Sequence, residues 1–311
     1  MKNAINYYYD LFPNDIHQKK SSYNFNYNSH DYTLLLYKED ISTLKAIYDF
    51  HIFLLNNNVF IHQIILNKMG QILTNINNES YILLKVNSGL PNKTINLNDV
   101  WNFSNSSINL YTQKRKYNYF EVLKRENLFT LWSNKNDHLE YQISQLEKKY
   151  PLIKESFNYY IGLGETAIQL ISKVPTNAFQ TVIAHKRINS KSTLFDLYNP
   201  LNLIIDSRAR DVSEYFKSKF FYQDKTVVEQ QIFSFFINSY FTATEFIIFF
   251  ARMMYPTYYF DIYEKIISGI MPEKEIKKIT SQARDYEKLL RNIYKYYKSF
   301  LQIEIIEWLE N

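Results

Sequence analysis

The sequence predicts an α+β fold in two unequal lobes: a small β-rich lobe over residues 1–86, a linker at 87–91 and a large helical lobe over 92–311. Three observations predict it. Apolar residues alternate between Ser22 and Lys38, as Tyr23-Phe25-Tyr27 and Tyr32-Leu34-Leu36, which is the period of a half-buried strand. Asn87-Ser88-Gly89-Leu90-Pro91 then breaks the pattern with turn formers. Beyond it, apolar residues recur at the spacing of a helix face through several long segments.

Taken in order, the first ten residues, Met1 to Asp10, lack the apolar core of a signal peptide. Asp40 precedes a helical pattern with Leu44, Ile47, Tyr48, His51, Leu54 and Leu55 on one face, and Asn56-Asn57-Asn58 ends it. Strands are expected over 59–66, 71–74 and 81–86, joined by turns at Asn67-Lys68-Met69-Gly70 and at 75–78. In the large lobe, helical spacing covers 138–174, with Pro151 marking a start. Further helices are expected over 216–221, 227–255, 260–270 and 272–311. The last carries Tyr286, Leu289, Ile293, Tyr297, Phe300 and Ile303 at core-facing spacing. Two strand-like runs stand among the helices, at 181–184 and 201–205. No internal repeat is present.

Composition narrows the function classes. The chain has 311 residues, of which 46% are hydrophobic and 22% charged, enough for a sizeable core and too apolar for disorder. The net charge of +5, from 36 basic and 31 acidic residues, is mild, and no nucleic-acid partner is expected from it. Lys19-Lys20 and Lys114-Arg115-Lys116 read as solvated surface. There is no cysteine, which excludes disulfides, thiolate nucleophiles and cysteine-ligated zinc, and fits a reducing compartment. The most membrane-like segment, 232–255, contains Asn238, Glu245 and Arg252, which are expensive in lipid. It reads as a buried helix, so no membrane insertion is expected. The 28 Tyr and 23 Phe accompany an excess of Asn, Ile and Lys, as biased codon usage produces. The other reading is a protein that stacks or cross-links through tyrosines, Tyr7-Tyr8-Tyr9 among them.

Most motifs of chemistry are missing or misplaced. Gly162-Leu163-Gly164-Glu165-Thr166-Ala167 matches G-x-G-x-x-A, but it continues a helical pattern and reads as small residues at a helix contact. There is no Walker P-loop and no G-x-S-x-G elbow. The six histidines form no H-x-x-x-H pair, and His51 lies on an apolar helix face, as core histidines do.

One layout stands out. The run 181–184 delivers His185 to a turn with Lys186 and Arg187, and the run 201–205 ends in Asp206-Ser207-Arg208-Ala209-Arg210-Asp211. A strand ending in histidine, then a strand ending in an acid, is how phosphoryl-transfer sites place a catalytic loop and a metal loop. Such chemistry needs a lysine on the nucleotide phosphates, a helix acid to orient it, a base acid, and acids for magnesium. The run Tyr32-Thr33-Leu34-Leu35-Leu36 has no lysine, and Lys38 lies beyond it. Between Asp40 and Asn58 the helix offers only Asp49. Arg187 stands where a base acid is wanted. Asp206 and Asp211 remain as metal candidates, with ion pairing to Arg208 and Arg210 as the plainer reading.

In these residues the chain resembles the bacterial spore-coat CotS-like family, in particular its YutH-type branch, relatives of the aminoglycoside phosphotransferase and choline kinase fold. Five stretches in shared order carry the resemblance. They are Ile65 to Leu73 leading to Tyr81-Ile82-Leu83-Leu84, His138-Leu139-Glu140-Tyr141-Gln142, Tyr160 to Gln169, Asp206 to Tyr215, and Ala251 to Phe260. The resemblance implies a bilobal protein-kinase-like fold and a role in the spore coat. It implies synthesis in the mother-cell cytoplasm, incorporation at the coat, and other coat proteins as partners. Active relatives carry an H-G-D-x-x-x-x-N loop. Here His185 matches the histidine, Lys186 stands at the glycine and Arg187 at the aspartate. They also carry an I-D-x-D metal loop. In a gapless pairing its acidic positions fall on Asn199 and Leu201, and in another register Asp206 is the ligand. The departures from that pattern, the missing lysine and Arg187 at the aspartate position among them, lead to the expectation of a degenerate kinase-like fold without phosphotransfer and with no cofactor. The alternative is an ATP-dependent small-molecule phosphotransferase with a rearranged magnesium site. A third reading gathers Lys186, Arg187, Arg208 and Arg210 as an anion site, against the plainer expectation that Arg210 pairs with Asp211. The oligomeric state is left open.

Overall fold

The computed structural model describes residues 1–19, 21–87, 89, 91–107, 118–125, 127–146, 149–175, 181–299 and 306–310. Lys20, Ser88, Leu90, Lys114-Arg115-Lys116, Phe300 and Ile303, on which several expectations rest, lie outside these residues.

The small lobe opens with helix α1 (Lys2–Tyr9), which the sequence reading did not anticipate. An antiparallel sheet follows: β1 (His17–Lys19), β2 (Ser22–Tyr27), β3 (His30–Leu36), β4 (Gln63–Ile65), β5 (Thr74–Ile76) and β6 (Glu79–Val86). The strand order is β1-β2-β3-β6-β4, with β5 also on β6. The expected alternation has a concrete cause. Phe25, Tyr32, Leu34, Tyr81 and Leu83 point to one face and pack with Ile5 and Tyr9 of α1. Leu35, Ile82 and Leu84 point to the other face and join the main core. Two tight turns close hairpins with left-handed residues, Asn28-Ser29 (φ 49° and 63°) and Asn77-Asn78 (φ 50° and 63°). Both central residues at positive φ is the geometry that matches strand twist.

Helix α2 (Leu44–Asn56) follows a 3-10 turn capped by Asp40, whose carboxylate accepts from the Ser42 amide. His51 is buried on it, as expected of a core histidine. Two strands are shorter than expected. The run 59–66 pairs only over Gln63–Ile65, because the Val59 amide is held by Leu54 and the His62 amide donates to the Tyr198 carbonyl of the large lobe. The run 71–74 forms a loop up to Thr74, because buried Asn67 ties it down. Its side-chain oxygen accepts from the Met69 and Gln71 amides, and its side-chain nitrogen donates to Leu73 O and Thr74 Oγ1.

The large lobe contains α3 (Leu97–Ser106), α4 (Tyr119–Leu123), α5 (Leu128–Gln145) and α6 (Pro151–Ser172), with Pro151 in the first turn as expected. The two-stranded sheet of β7 (Thr181–His185) and β8 (Leu203–Ser207) brackets the short α7 (Leu194–Leu197). Helices α8 (Ala209–Tyr222), α9 (Val228–Ser239), α10 (Ala243–Met254), α11 (Thr257–Ile267), α12 (Lys277–Thr280), α13 (Ala283–Lys298) and α14 (Glu307–Glu310) complete it. The segment expected as one helix over 227–255 is two. Tyr240 adopts φ 51° and ends α9, and Thr242 then starts α10 through a capping box with Glu245. Helix α10 packs against α6, α8 and α13 and buries Ile248, Phe249, Phe250, Met253 and Met254. Gly164 on α6 meets Asn136 of α5 so closely that an added Cβ would lie 2.8 Å from the Asn136 side chain. The G-x-G stretch therefore serves helix packing. No helix among the described residues is long and apolar enough to cross a membrane.

Candidate catalytic loop and interlobe cleft

Strands β7 and β8 run antiparallel in the register His185↔Leu203 and Val182↔Asp206, so the two predicted motifs lie side by side. Their side chains are buried except for Thr181, a burial that suits the Val-Ile-Ala and Leu-Ile-Ile runs.

His185 is held on every polar side. Its backbone amide donates to Asp211 Oδ1 at 3.1 Å, and its Nδ1 lies 2.7 Å from Asp211 Oδ2. Its Nε2 lies 2.8 Å from the Leu197 carbonyl. The histidine and Asp211 thus fix the end of β7 to the first turn of α8. Asp211 is 1% exposed, and both its oxygens are engaged.

Asp206 is likewise enclosed. Arg252 Nη2 lies 2.9 and 2.8 Å from its two oxygens, Arg210 Nη1 donates to Oδ2 at 3.0 Å, and the Ser207 amide donates to Oδ1 at 2.6 Å. Burial pushes this carboxyl up. Arg252, Arg210 and the Ser207 amide outweigh it and hold the group below the usual carboxylate range.

The cations separate. Arg210 clamps the loop, with Nε on the His185 carbonyl at 2.7 Å and Nη2 on the Lys186 carbonyl at 2.9 Å. Its acid is Asp206, not Asp211, which corrects the expected pairing. Asp206 lies near the end of β8 and Arg210 in the first turn of α8 reaches back to it, whereas Asp211, the next residue, contacts His185. Arg208 turns away to a two-pronged contact with Glu245, at 3.0 and 2.6 Å, and lies over the Trp101 ring. Lys186 reaches across to Glu39 of the small lobe at 2.5 Å. Arg187 is exposed, its backbone pinned by the Asn202 side chain. Lys186, Arg187, Arg208 and Arg210 therefore do not converge on one anion site.

Sequence reasoning missed Arg252, Glu245, Glu39 and Asn202. Charged residues inside an otherwise apolar helix signal buried partners. That signal was present at Glu245 and Arg252 and does not say which partners.

A cavity of about 830 Å³ lies between the small-lobe sheet and the large lobe. Its walls include Asp31, Thr33 and Leu35 of β3, Val86 at the end of β6, and Phe195 and Asp196 of α7. No lysine of β3 faces it, since β3 has none. Asp49, the acid of α2, is exposed. Among the described residues, no group of three or more His, Asp or Glu is placed to hold a metal ion.

Residues 2–293 match the family described as "Spore coat putative kinase YutH". The chain belongs to this family. A relative from Bacillus subtilis (strain 168), the endospore coat-associated protein YutH, is 28% identical over 164 residues. That match covers 46% of this chain and 47% of the relative, so it spans about half the length of each. Among solved structures, an aminoglycoside phosphotransferase from Alicyclobacillus acidocaldarius has a TM-score of 0.69 at 10% identity, covering 96% of this chain and 97% of that one. A microcompartment-associated aminopropanol kinase gives 0.61 at 8% identity, with 96% and 97% covered. The amicoumacin kinase hAmiN gives 0.57 at 12% identity, with 93% and 91% covered. These likenesses show the fold, the one expected for this YutH-family chain, with a β-rich small lobe and a helical large lobe.

Proposed function

We propose that this chain is a spore coat-associated protein whose kinase-like fold serves coat structure or assembly and does not transfer phosphate. One observation carries the reading: the acid of the second motif, Asp206, is buried against Arg210 and Arg252 with every oxygen engaged. A magnesium ion there would have to displace two guanidinium groups. The cation Arg187 at the base position points the same way, because it neither accepts a proton nor tolerates a nearby metal. Residues fit for Mg-ATP are lacking also on β3 and α2, which offer no lysine and no buried acid to the cleft. In this reading the protein is made in the mother-cell cytoplasm, joins the coat, and meets other coat proteins. Neither nucleic acid nor a bilayer enters the reading.

The retained 830 Å³ cleft favours a second reading, an ATP-dependent small-molecule phosphotransferase with a rearranged site. A thermal-shift titration with ATP, with and without magnesium, separates the two. Binding to the native state raises stability by about 2.7 kcal/mol at a hundred times the dissociation constant. The structural reading expects no shift at millimolar ATP. A magnesium-dependent shift, lost in Asp206→Ala, would establish the phosphotransferase reading instead.

A further inference from the structure

The two lobes share one apolar core. Ile47, Ile61 and Leu84 of the small lobe and Val100, Ile205 and Phe216 of the large lobe belong to a single contiguous cluster of buried side chains. The segment from Glu39 to His62, which contains α2, is fastened to the large lobe at three places along its length. At its start Glu39 pairs with Lys186, whose amide is itself held by the Asn202 carbonyl at 2.7 Å. In its middle Phe50 and Phe53 interlock with Tyr119 and Phe120 of α4, the ring centroids 5.5 to 5.8 Å apart, and all four side chains are buried. At its end the His62 amide donates to the Tyr198 carbonyl at 2.8 Å, and the Phe60 ring meets the Tyr198 ring edge-on at 4.7 Å.

Both sides of this junction are anchored. The Arg125 amide, just after α4, donates to the Ile205 carbonyl of β8 at 3.0 Å, so α4 is tied to the centre of the large lobe. On the small-lobe side His51 Nε2 of α2 accepts from the Ile64 amide of β4 at 3.1 Å, and β4 pairs with β6. The helix therefore moves with the sheet. The linker is tied to the same segment: Asn87 donates its amide to His62 Nδ1 at 3.2 Å and its side-chain nitrogen to the Ile61 carbonyl at 2.6 Å.

Relative motion is the ordinary expectation for two lobes unless the interface between them is large and apolar. Here a hinge motion would have to part four buried rings. An ion pair as exposed as Lys186 and Glu39 contributes little, so the rings and not the charges carry the hold. We infer that the segment 39–62 braces the two lobes into one rigid body, so that the cleft keeps one width whether empty or occupied. Surfaces on the two lobes then keep a fixed relative orientation.

The test is a distance measurement by pulsed electron paramagnetic resonance on the full chain. The chain has no cysteine, so spin labels attach only where cysteines are placed, at His30→Cys on β3 and Lys288→Cys on α13, both exposed. One narrow distance distribution is expected, unchanged by millimolar Mg-ATP and by molar salt, which screens the ion pair. Glu39→Lys is expected to leave it narrow, and Phe50→Ala with Phe53→Ala to broaden it. ATP that binds at an unchanged distance supports the brace. Two distances in the parent, a shift with Mg-ATP or salt, or a double variant as narrow as the parent overturns it. Hydrogen exchange of the parent gives a second reading that needs no variant to fold. The amides of β6 and α10 are expected to open together, whereas a small lobe that opens by itself, about a hundredfold more often than α10, overturns the inference.

Discussion

Asp206 on β8 and Arg252 on α10 are 46 residues apart in sequence, yet one guanidinium nitrogen of Arg252 touches both oxygens of the Asp206 carboxylate, at 2.9 and 2.8 Å. The contact joins the two-stranded sheet to the helix at the centre of the large lobe. Cations outnumber this acid. Arg125 is pushed down to about 10 by burial and by Arg210, with Arg252 adding to the effect, and Arg252 itself is lowered first by burial.

That imbalance sets an asymmetric mutational response. Asp206→Asn leaves Arg210 and Arg252 facing each other without their anion and is expected to cost about 3–5 kcal/mol. Arg252→Met leaves the Asp206–Arg210 pair intact and is expected to cost less, about 1–3 kcal/mol. Urea unfolding of both variants measures this. A neutral Asp206→Asn would show that the cluster does not hold the sheet to α10.

Acid sensitivity should appear in two windows. His51 Nε2 accepts from the Ile64 amide and His62 Nδ1 accepts from the Asn87 amide, so protonation of either nitrogen loses a bond. Burial lowers both from 6.5 to about 4. Between those values the unfolded chain takes up protons that the fold refuses, so stability is full above pH 6.5 and declines toward pH 4. Each histidine is worth on the order of 3 kcal/mol across that range. Asp206, lowered from 3.8, adds its loss only below that value, as pH falls through its folded pKa. Unfolding free energies at pH 7, 5.5 and 4.5 check the first window, and His51→Gln with His62→Gln should flatten it. An unchanged stability across those three values would refute the assignment.

The small lobe was legible because one physical constraint, a two-faced sheet, writes itself as alternation: Tyr32 and Leu34 pack on α1 while Leu35 faces the main core. The break at Tyr240 was hidden because a bulky aromatic residue, not glycine, takes the left-handed position, although the Thr242-x-x-Glu245 capping signal was available. The site divided the same way. The strand runs and His185 were readable, since burial and strand period are local properties. Its partners were not: Asp211 reaches back 26 residues to His185, and Lys186 finds Glu39 across 147 residues. Pairing at such range depends on how elements pack, which no local period encodes.

The close contact between α5 and α6 gives a paired glycine test. Asn136 is fully buried, donates to Glu165 Oε1 at 2.6 Å and accepts from the Tyr255 hydroxyl at 3.3 Å, so its side chain has little room to yield. Gly164→Ala is expected to destabilise by about 1–3 kcal/mol through overpacking. Gly162, two residues earlier on the same helix, has nothing within 4 Å of an added Cβ. Gly162→Ala is expected to stabilise by about 0.5–1 kcal/mol through helix propensity. Equal effects from the two, read by thermal or urea unfolding, would mean that the Asn136 contact is not what keeps Gly164.

The last prediction concerns reversal at the catalytic loop. If Arg187 alone had removed activity, Arg187→Asp, or Arg187→Asp with Lys186→Gly, would return magnesium-dependent ATP turnover. We expect none. Phosphoryl transfer needs the base together with a phosphate lysine, an orienting acid and metal ligands. The cleft face of β3 presents Asp31, Thr33 and Leu35, and Thr33 is itself bonded to Asn24 at 2.9 Å. Asp206 stays paired with Arg210 and Arg252 whatever residue stands at 187, because neither contact passes through that side chain. The new aspartate would sit on a loop whose backbone is still pinned by Asn202, so the variant should fold and keep its melting temperature. A coupled assay for ADP release, run beside a Mg-ATP thermal shift, decides the matter. Turnover in the single variant would mean that only the base was missing, and that the remaining parts of a phosphotransfer site stand elsewhere in the cleft.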